Sequence, residues 1–399
     1  MENNLTFLKK GLIDELRSKL NDSPIFSEDN SLKDNYDLIC AVLDRLDSSV
    51  DYLNKHSEIP SLEHDFLVFM MYCSMVKDAS KQLADGLDVP YPFLDENDDN
   101  NFKFFKSFCM GKPLNLDEQL VPTDDRFFEY FRSIAFAHPF ETSRANFLKK
   151  NDKEIHYSPF VLVNNHIFSS FDDIEDAVGV RVYTNKAEGW AGILDVKISF
   201  ATLKNFIKSR FNFLQEIIKW AQEQINNFEA TWRKRKVNRS LTNIEIMKDI
   251  IDILRTRYEP TYEIESLLEY LDCQVTLNSN KKSVEKFRSM IECYIPEFCD
   301  AIDNLNYDVI YNIIYSDIEV NPRGDVENMT DYQIQKIFSY LSDEVDNYNI
   351  SWGLTMAEEF SQGFAKEFVT IQAASMSFSE IKLLVRTACY LKIEQQKIG

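Results

Sequence analysis

Apolar residues recur every three or four positions through most of this chain, in long stretches separated by short polar breaks. This spacing is the period of one face of an α-helix. It predicts helices over 1–21, 34–55 and 61–86, and a long helix from Phe200 to about Val237. In the N-terminal bundle we expect the following residues to point inward: Leu46, Phe66, Met70, Cys73 and Phe131.

A different pattern lies in the middle of the chain. Residues 157–163, 177–184 and 190–199 are short runs rich in Val, Ile and Tyr. Runs of this kind joined by polar connections are typical of strands. We therefore predict a small antiparallel sheet, inserted as an appendage between two helical bodies.

Further helices begin in the second half at three capping boxes, Thr242…Glu245, Thr330…Gln333 and Ser377…Glu380. The fold class predicted is therefore mainly α, with a helical bundle, a small antiparallel β insertion and a second helical body. The corresponding domains are 1–150, 151–199 and 200–399. Only 10 Gly and 11 Pro in 399 residues agree with long helices and few tight turns.

Composition and charge narrow the class of function. The net charge of −21 argues against a general nucleic-acid coat, because that role depends on a cationic surface. Seven cysteines without a CxxC pair suit a reduced cytoplasmic protein. The N-terminus does not resemble a signal peptide, and no run reaches the roughly 20 apolar residues of a membrane span, so we expect no membrane partner.

Motifs for metals and common cofactors are missing from the sequence. The five histidines show neither HxxxH nor HExxH spacing, and neither a GxxxxGK[ST] nor a GxGxxG loop occurs. We therefore expect no metal site and no cofactor.

One stretch does carry candidate chemistry. Arg132 and His138 lie six residues apart, between a helix start at Pro122 and a helix-breaking Pro139. Arginine can hold a phosphate, and histidine can exchange a proton near neutral pH. Six residues of ideal helix separate two side chains by about 240°, so a shared cleft requires a distorted helix or a second subunit.

This stretch, Arg132-Ser133-Ile134-Ala135-Phe136-Ala137-His138, resembles the motif of the HEPN superfamily, in which a histidine follows an arginine after four to six residues. The resemblance covers about residues 30–148. It implies a metal-independent endoribonuclease with a site shared across a homodimer. Such proteins act as toxins or as antiviral and abortive-infection effectors, sometimes under an inhibitory or activating protein partner.

In that scheme His138 is the general acid/base and Arg132 stabilises the scissile phosphate. Supporting candidates are Ser133, Asp78 and Glu141. The other interpretation of Arg132 is an ion pair with Glu129, Asp125 or Glu141, with His138 as a helix-terminal residue bonded to a carbonyl. Asp78 is likewise open to a structural role as the partner of a lysine or a backbone group.

Two groups of cations could bind RNA. Arg144, Lys149 and Lys150 follow the motif, and a second cluster of Arg233, Lys234, Arg235 and Lys236 stands beside Trp232. The second cluster is equally consistent with a solvated helix end whose cations complement the helix dipole. The alternative function is a non-catalytic helical scaffold whose acidic surface binds a basic protein or a nucleotide.

Overall fold

The computed structural model describes residues 6–21, 23–27, 30–111, 114–140, 155–163, 176–184, 193–321 and 329–398. The chain divides into two compact units, Met1–Asn226 and Asn227–Gly399. Helices dominate both units, and the described strands form a small antiparallel sheet in the first unit. The prediction of a mainly α fold with a small β insertion is confirmed.

The first unit is built on helices with strongly apolar faces. They are α1 (Gly11–Asn21), α2 (Tyr36–Lys55), α3 (Glu63–Gly86), α4 (Lys106–Met110), α5 (Asp124–Arg132), α6 (Phe200–Asn212) and α7 (Leu214–Trp232), of which α7 contains the division between the units. Helix α3 packs against α2, α5 and α6. All five residues predicted to point inward are fully buried, which confirms the helical periodicity of this bundle.

The long helix predicted from Phe200 to Val237 is two helices. It breaks at Phe213, whose N–H bonds to the carbonyl of Arg210 in a tighter i→i−3 turn, and α7 ends at Trp232. The sequence sets a domain boundary at residue 200, whereas the compact units divide after Asn226. The reason lies in α6, whose apolar face packs on α3 inside the first unit.

The sheet consists of β1 (His156–Leu162), β2 (Ala177–Thr184) and β3 (Ile193–Ser199), in the order β1-β2-β3. It lies within the first unit, where it contacts the segment after α5, and β3 leads directly into α6. Gly179 permits a close approach of the strands, because a Cβ atom there would collide with the Val196 carbonyl. The first half of β2 is buried, whereas Tyr157 and Phe160 of β1 are exposed, so this sheet is partly covered by the unit.

The second unit is helical throughout its described residues from 243 onward. Its helices are α8 (Asn243–Thr256), α9 (Tyr262–Asp272), α10 (Asn278–Asn304), α11 (Tyr307–Ile313), α12 (Met329–Tyr340), α13 (Asn347–Gln362) and α14 (Phe378–Ile398). The capping box predicted at Thr242 and Glu245 is present at the start of α8. In the part of the chain that the structure describes, no helix is long and apolar enough to cross a membrane.

Candidate active site

Helix α5 is fixed at its start by buried polar groups. The Asp124 carboxylate is fully buried and accepts hydrogen bonds from the backbone N–H groups of Phe104 and Phe105 at 3.1 and 2.9 Å. Burial raises the pKa of Asp124, against the opposing effect of these hydrogen bonds. Thr123 caps the helix through its side-chain oxygen. The arginine of the candidate motif therefore stands on a well-anchored helix.

The α-helix does not continue from Arg132 to His138. Residues Ser133–Ala137 form a π-helical turn, closed by a 2.7 Å hydrogen bond from the His138 N–H to the Ser133 carbonyl. Such single turns occur frequently at functional sites. At His138 the backbone leaves the helical region, with φ −141° and ψ 60°.

This distortion does not by itself bring the two side chains to one face. A π turn rotates less per residue than an α-helix, so the rotation from Arg132 to His138 is smaller than the α-helical value, which is about 240° more than one full turn, and it does not reach a second full turn. No hydrogen bond joins these two residues in the described part of the chain. The direction of the His138 side chain is set by the non-helical backbone at the end of the turn.

Arg132 is held by two carboxylates. Its Nε atom donates to Glu129 Oε2 at 2.8 Å, and its Nη1 atom donates to Asp78 Oδ2 at 3.4 Å. The Glu129 pair is one of the ion pairs considered from the sequence, whereas Asp78 reaches Arg132 from α3. The Arg132 side chain is 21% exposed, so its guanidinium lies near the surface with part of its charge already neutralised.

A buried lysine stands behind this pair. Lys77 on α3 is 5% exposed and donates to Glu129, and it also lies 3.3 Å from Asp78. Burial raises the pKa of the Glu129 carboxyl, but the charges and hydrogen bonds of Lys77 and Arg132 outweigh burial and lower it overall. The ion pair of Asp78 with a lysine, considered from the sequence, is therefore present beside its contact with Arg132.

The network continues into the interior through Asp125. Arg210 Nε donates to Asp125 Oδ1 at 2.6 Å, and the Tyr91 hydroxyl donates to Oδ2 of the same carboxylate at 3.0 Å. The guanidinium of Arg210 lies 3.9 Å from the ring centre of Phe93 and 4.4 Å from that of Phe206. Burial, followed by the charge of Asp125, raises the pKa of Tyr91.

Sequence reasoning missed Lys77, Arg210 and Tyr91. A signal for two of them was available, because Lys77 lies four residues after Cys73 and Arg210 four residues after Phe206, each on the apolar face of its helix. A charged residue at such a position needs a buried partner. The identity of that partner could not be derived from local spacing.

His138 differs from the other members of the site. Its side chain is exposed, and within the described residues its ring takes part in no hydrogen bond or ion pair. Phe140, two residues further on, is 85% exposed. Ser133 is 2% exposed, so its side chain is turned away from the solvent that His138 faces. Glu141, Arg144, Lys149 and Lys150 lie outside the described residues.

Two of the four cations in the second basic cluster, Arg233 and Arg235, are paired with nearby acids. Arg235 contacts both Asp249 and Asp252, the latter at 2.7 Å. Arg233 pairs with Glu229, and the neighbouring Arg239 pairs with Asp300 and Asp303. Lys236 donates to the backbone carbonyl of Asp303, which carries no charge. Lys234 has no ion-pair partner in the part of the chain described. An RNA phosphate would therefore compete with carboxylates already in place.

Across the described ranges, no group of three or more His, Cys, Asp or Glu side chains is arranged to hold a metal ion. No family model, no curated protein and no solved structure matches this chain.

Proposed function

We propose that this protein is an HEPN-like endoribonuclease that cleaves RNA without a divalent metal ion, with His138 and Arg132 as its catalytic residues. The observation that carries the proposal is that an arginine and an exposed histidine occur together in one short segment. Arg132 is a partly buried cation oriented by Glu129 and Asp78, and a solvent-exposed histidine follows it at the end of a π-helical turn.

The reaction requires a proton to leave the ribose 2′-hydroxyl while its oxygen attacks the adjacent phosphorus. The bond from phosphorus to the 5′-oxygen breaks, that oxygen takes a proton, and the RNA is left with a 2′,3′-cyclic phosphate. An imidazole can serve either proton transfer, because its pKa lies near neutral pH in unperturbed histidine. His138 takes this role, since it is the exposed proton-transfer group of the segment.

Arg132 holds the phosphate and stabilises the charge that develops on its oxygens. Guanidinium has five N–H donors in a planar fork, and the contacts with Glu129 and Asp78 leave some of them for a substrate. Glu129 is a positioning residue, because it fixes the fork and is itself fixed by Lys77. Asp78 is half-exposed and contacts the same guanidinium, so its contact with Arg132 has to break when a phosphate binds there.

We further propose that the active site is shared across a homodimer and that the protein is a toxin or antiviral effector of the cytoplasm. Each chain has one His138, whereas the reaction includes two proton transfers. A dimer would supply a second histidine for the second transfer. The seven free cysteines are compatible with a reducing compartment. An inhibitory or activating protein partner fits a nuclease whose uncontrolled activity would damage its own cell.

The second candidate function is a non-catalytic scaffold that binds a basic protein or a nucleotide. It is favoured by the engagement of Arg132 with two carboxylates, which reduces the free positive charge available to RNA. The overall charge of −21 also favours basic partners over RNA. The two functions differ in what they require of His138, which the scaffold does not need.

The test is incubation of the purified full chain with total tRNA and with structured single-stranded RNA in EDTA, followed by analysis of fragment ends. We expect fragments ending in a 2′,3′-cyclic phosphate. Because placed proton transfer contributes about 10²–10⁴-fold, His138→Ala should be nearly inactive, and so should Arg132→Ala. If the site is shared, mixing the two variants should restore part of the activity.

Matched controls lie close by. His64→Ala removes an exposed histidine on α3, and Arg126→Ala removes an exposed arginine on α5 itself. Both should cleave at the wild-type rate, and circular dichroism should show that all four variants remain folded. RNA left intact by wild-type protein free of any partner, or alanine variants at positions 132 and 138 that cut as fast as wild type, would favour the scaffold.

A further inference from the structure

Three tyrosines and two glutamates lie together on the second unit, separate from the Arg132 segment. We call them the tyrosine–glutamate face: Glu259, Tyr262, Glu263, Tyr311 and Tyr315. Tyr262 and Glu263 begin α9, Tyr311 lies in α11, and Tyr315 lies in the π-helical turn Ile314–Ile318 that follows α11. Tyr262 is 72% exposed and Tyr315 is 59% exposed, so large aromatic surfaces face solvent here.

The geometry joins these residues into one surface. The Tyr315 hydroxyl donates to Glu263 Oε1 at 2.8 Å, and the Tyr311 hydroxyl donates to the Pro260 carbonyl at 3.4 Å. Burial, followed by the charges of Glu259 and Glu263, raises the pKa of Tyr311 to about 12. Both carboxylates therefore act on the same ring, from the loop before α9 and from its first turn.

The negative charge of this face is not neutralised by ion pairs in the part of the chain that the structure describes. Neither glutamate forms an ion pair within the described residues, and Glu263 Oε2 is enclosed there without a hydrogen-bond partner. Arg255 pairs with Glu265 and Arg386 with Glu319, and buried Arg257 donates to the carbonyls of Ile302, Trp232 and Arg235 and to the hydroxyl of Tyr307. Burial raises the pKa of Glu259, and the charge of Arg257 only partly opposes this shift. In the basic cluster, by contrast, Arg233 and Arg235 pair with acids of their own.

We propose that the tyrosine–glutamate face binds an arginine side chain of a basic partner protein. A guanidinium stacks on aromatic rings and donates in-plane hydrogen bonds to a carboxylate, so it meets both features of this face at once. The charge of −21 attracts a basic partner over a distance, and the Glu263 carboxylate, held by the exposed Tyr315, supplies a local negative charge. A phosphate-bearing ligand is disfavoured by the same carboxylates.

This inference does not depend on the proposed ribonuclease activity. The test measures binding of a fluorescein-labelled nona-arginine peptide to the full-length protein by anisotropy, at several salt concentrations, with a nona-lysine peptide for comparison. Tyr262→Leu keeps the Tyr315–Glu263 hydrogen bond and removes an exposed ring, and Glu263→Gln removes the carboxylate charge. Each should weaken binding of the arginine peptide about tenfold, as loss of a central contact does in protein interfaces.

Matched controls are Tyr348→Leu and Glu358→Gln, which make the same changes at exposed positions on α13. They should bind the arginine peptide as wild type does, and thermal melts should be alike for all variants. Equal weakening by test and control variants would show that binding does not depend on the tyrosine–glutamate face, and it would overturn the proposal. Equally tight binding of the lysine peptide, or no binding of either peptide, would overturn it as well.

Discussion

The Nε atom of Arg210 lies 2.6 Å from Oδ1 of Asp125, and both side chains are almost fully buried. This pair joins α6 to α5, the helix that carries Arg132. The two residues are 85 positions apart in the chain, and the rings of Phe93 and Phe206 lie against the guanidinium of Arg210. The helix of the candidate site is therefore attached to the interior of the first unit by a charge pair as well as by apolar packing.

Loss of the Arg210 cation should destabilise the first unit strongly. Arg210→Leu leaves the buried Asp125 carboxylate without its closest partner, and breaking a buried pair in this way costs about 3–5 kcal/mol. The measurement is urea unfolding followed by circular dichroism. Arg126→Leu on α5, the helix that carries Asp125, breaks an exposed pair with Glu96 and should cost less than about 1 kcal/mol. Equal effects of the two substitutions would contradict the structural role of the buried pair.

The same substitution at two leucines of α2 should unfold the first unit at one position and leave its stability nearly unchanged at the other. Leu46 is fully buried, so Leu46→Asp removes core packing worth about 2–5 kcal/mol and buries an unpaired charge. We expect no folded first unit in this variant. Leu38 belongs to the same periodic pattern but is 44% exposed, so Leu38→Asp should melt close to the wild-type temperature. A normal melting curve for Leu46→Asp would show that the core is assigned wrongly.

The contribution of Glu129 to stability should depend on pH. Its pKa is lowered in the fold by Lys77 and Arg132, so the ionised carboxylate stabilises the protein above the unfolded value of about 4.3. That contribution is lost as the pH falls through the lower pKa of the folded state. Glu129→Gln should therefore be less stable than wild type at neutral pH, and the difference should shrink below about pH 4. A difference that stays constant across this range would contradict the ion network.

The basic cluster offers a test in both directions. Charge reversal at Arg233, Lys234, Arg235 and Lys236 should weaken RNA association and flatten its salt dependence if RNA binds there. Asp249→Asn combined with Asp252→Asn frees the Arg235 cation and should then strengthen RNA association and steepen its salt dependence. Filter binding over a salt series measures both. RNA affinity that is unchanged in both variants would remove the cluster from consideration.

The sequence by itself determined where most of the helices and strands lie and which five residues of the N-terminal bundle point inward. Helical spacing placed Leu46, Phe66 and Phe131 inside, and the strand from 177 to 184 has the predicted bounds. Local signals of this kind are set by residues within a few positions of one another. The capping box at Thr242 and Glu245 formed as predicted, since both of its hydrogen bonds lie within one helical turn.

Only one of the two hydrogen bonds of the capping box at Ser377 and Glu380 is formed. A residue distant in sequence binds the Glu380 carboxylate instead. The Ser377 side-chain oxygen accepts from the Glu380 N–H at 3.2 Å, but the Glu380 carboxylate accepts from the backbone and side chain of Thr276 at 2.8 and 2.9 Å. Tertiary packing brings these two segments together across 104 positions of sequence. No local pattern encodes that approach.

The candidate site shows the same division. The Arg132–Glu129 pair lies within one helical turn and could be considered from the sequence, as could the end of the helix before Pro139. The contacts of Asp78 and Lys77 with Arg132 and Glu129, and that of Arg210 with Asp125, join helices 52 to 85 residues apart. Only the folded chain decides them, because the partner of a buried charge is whichever opposite charge the packing of helices carries within hydrogen-bonding distance.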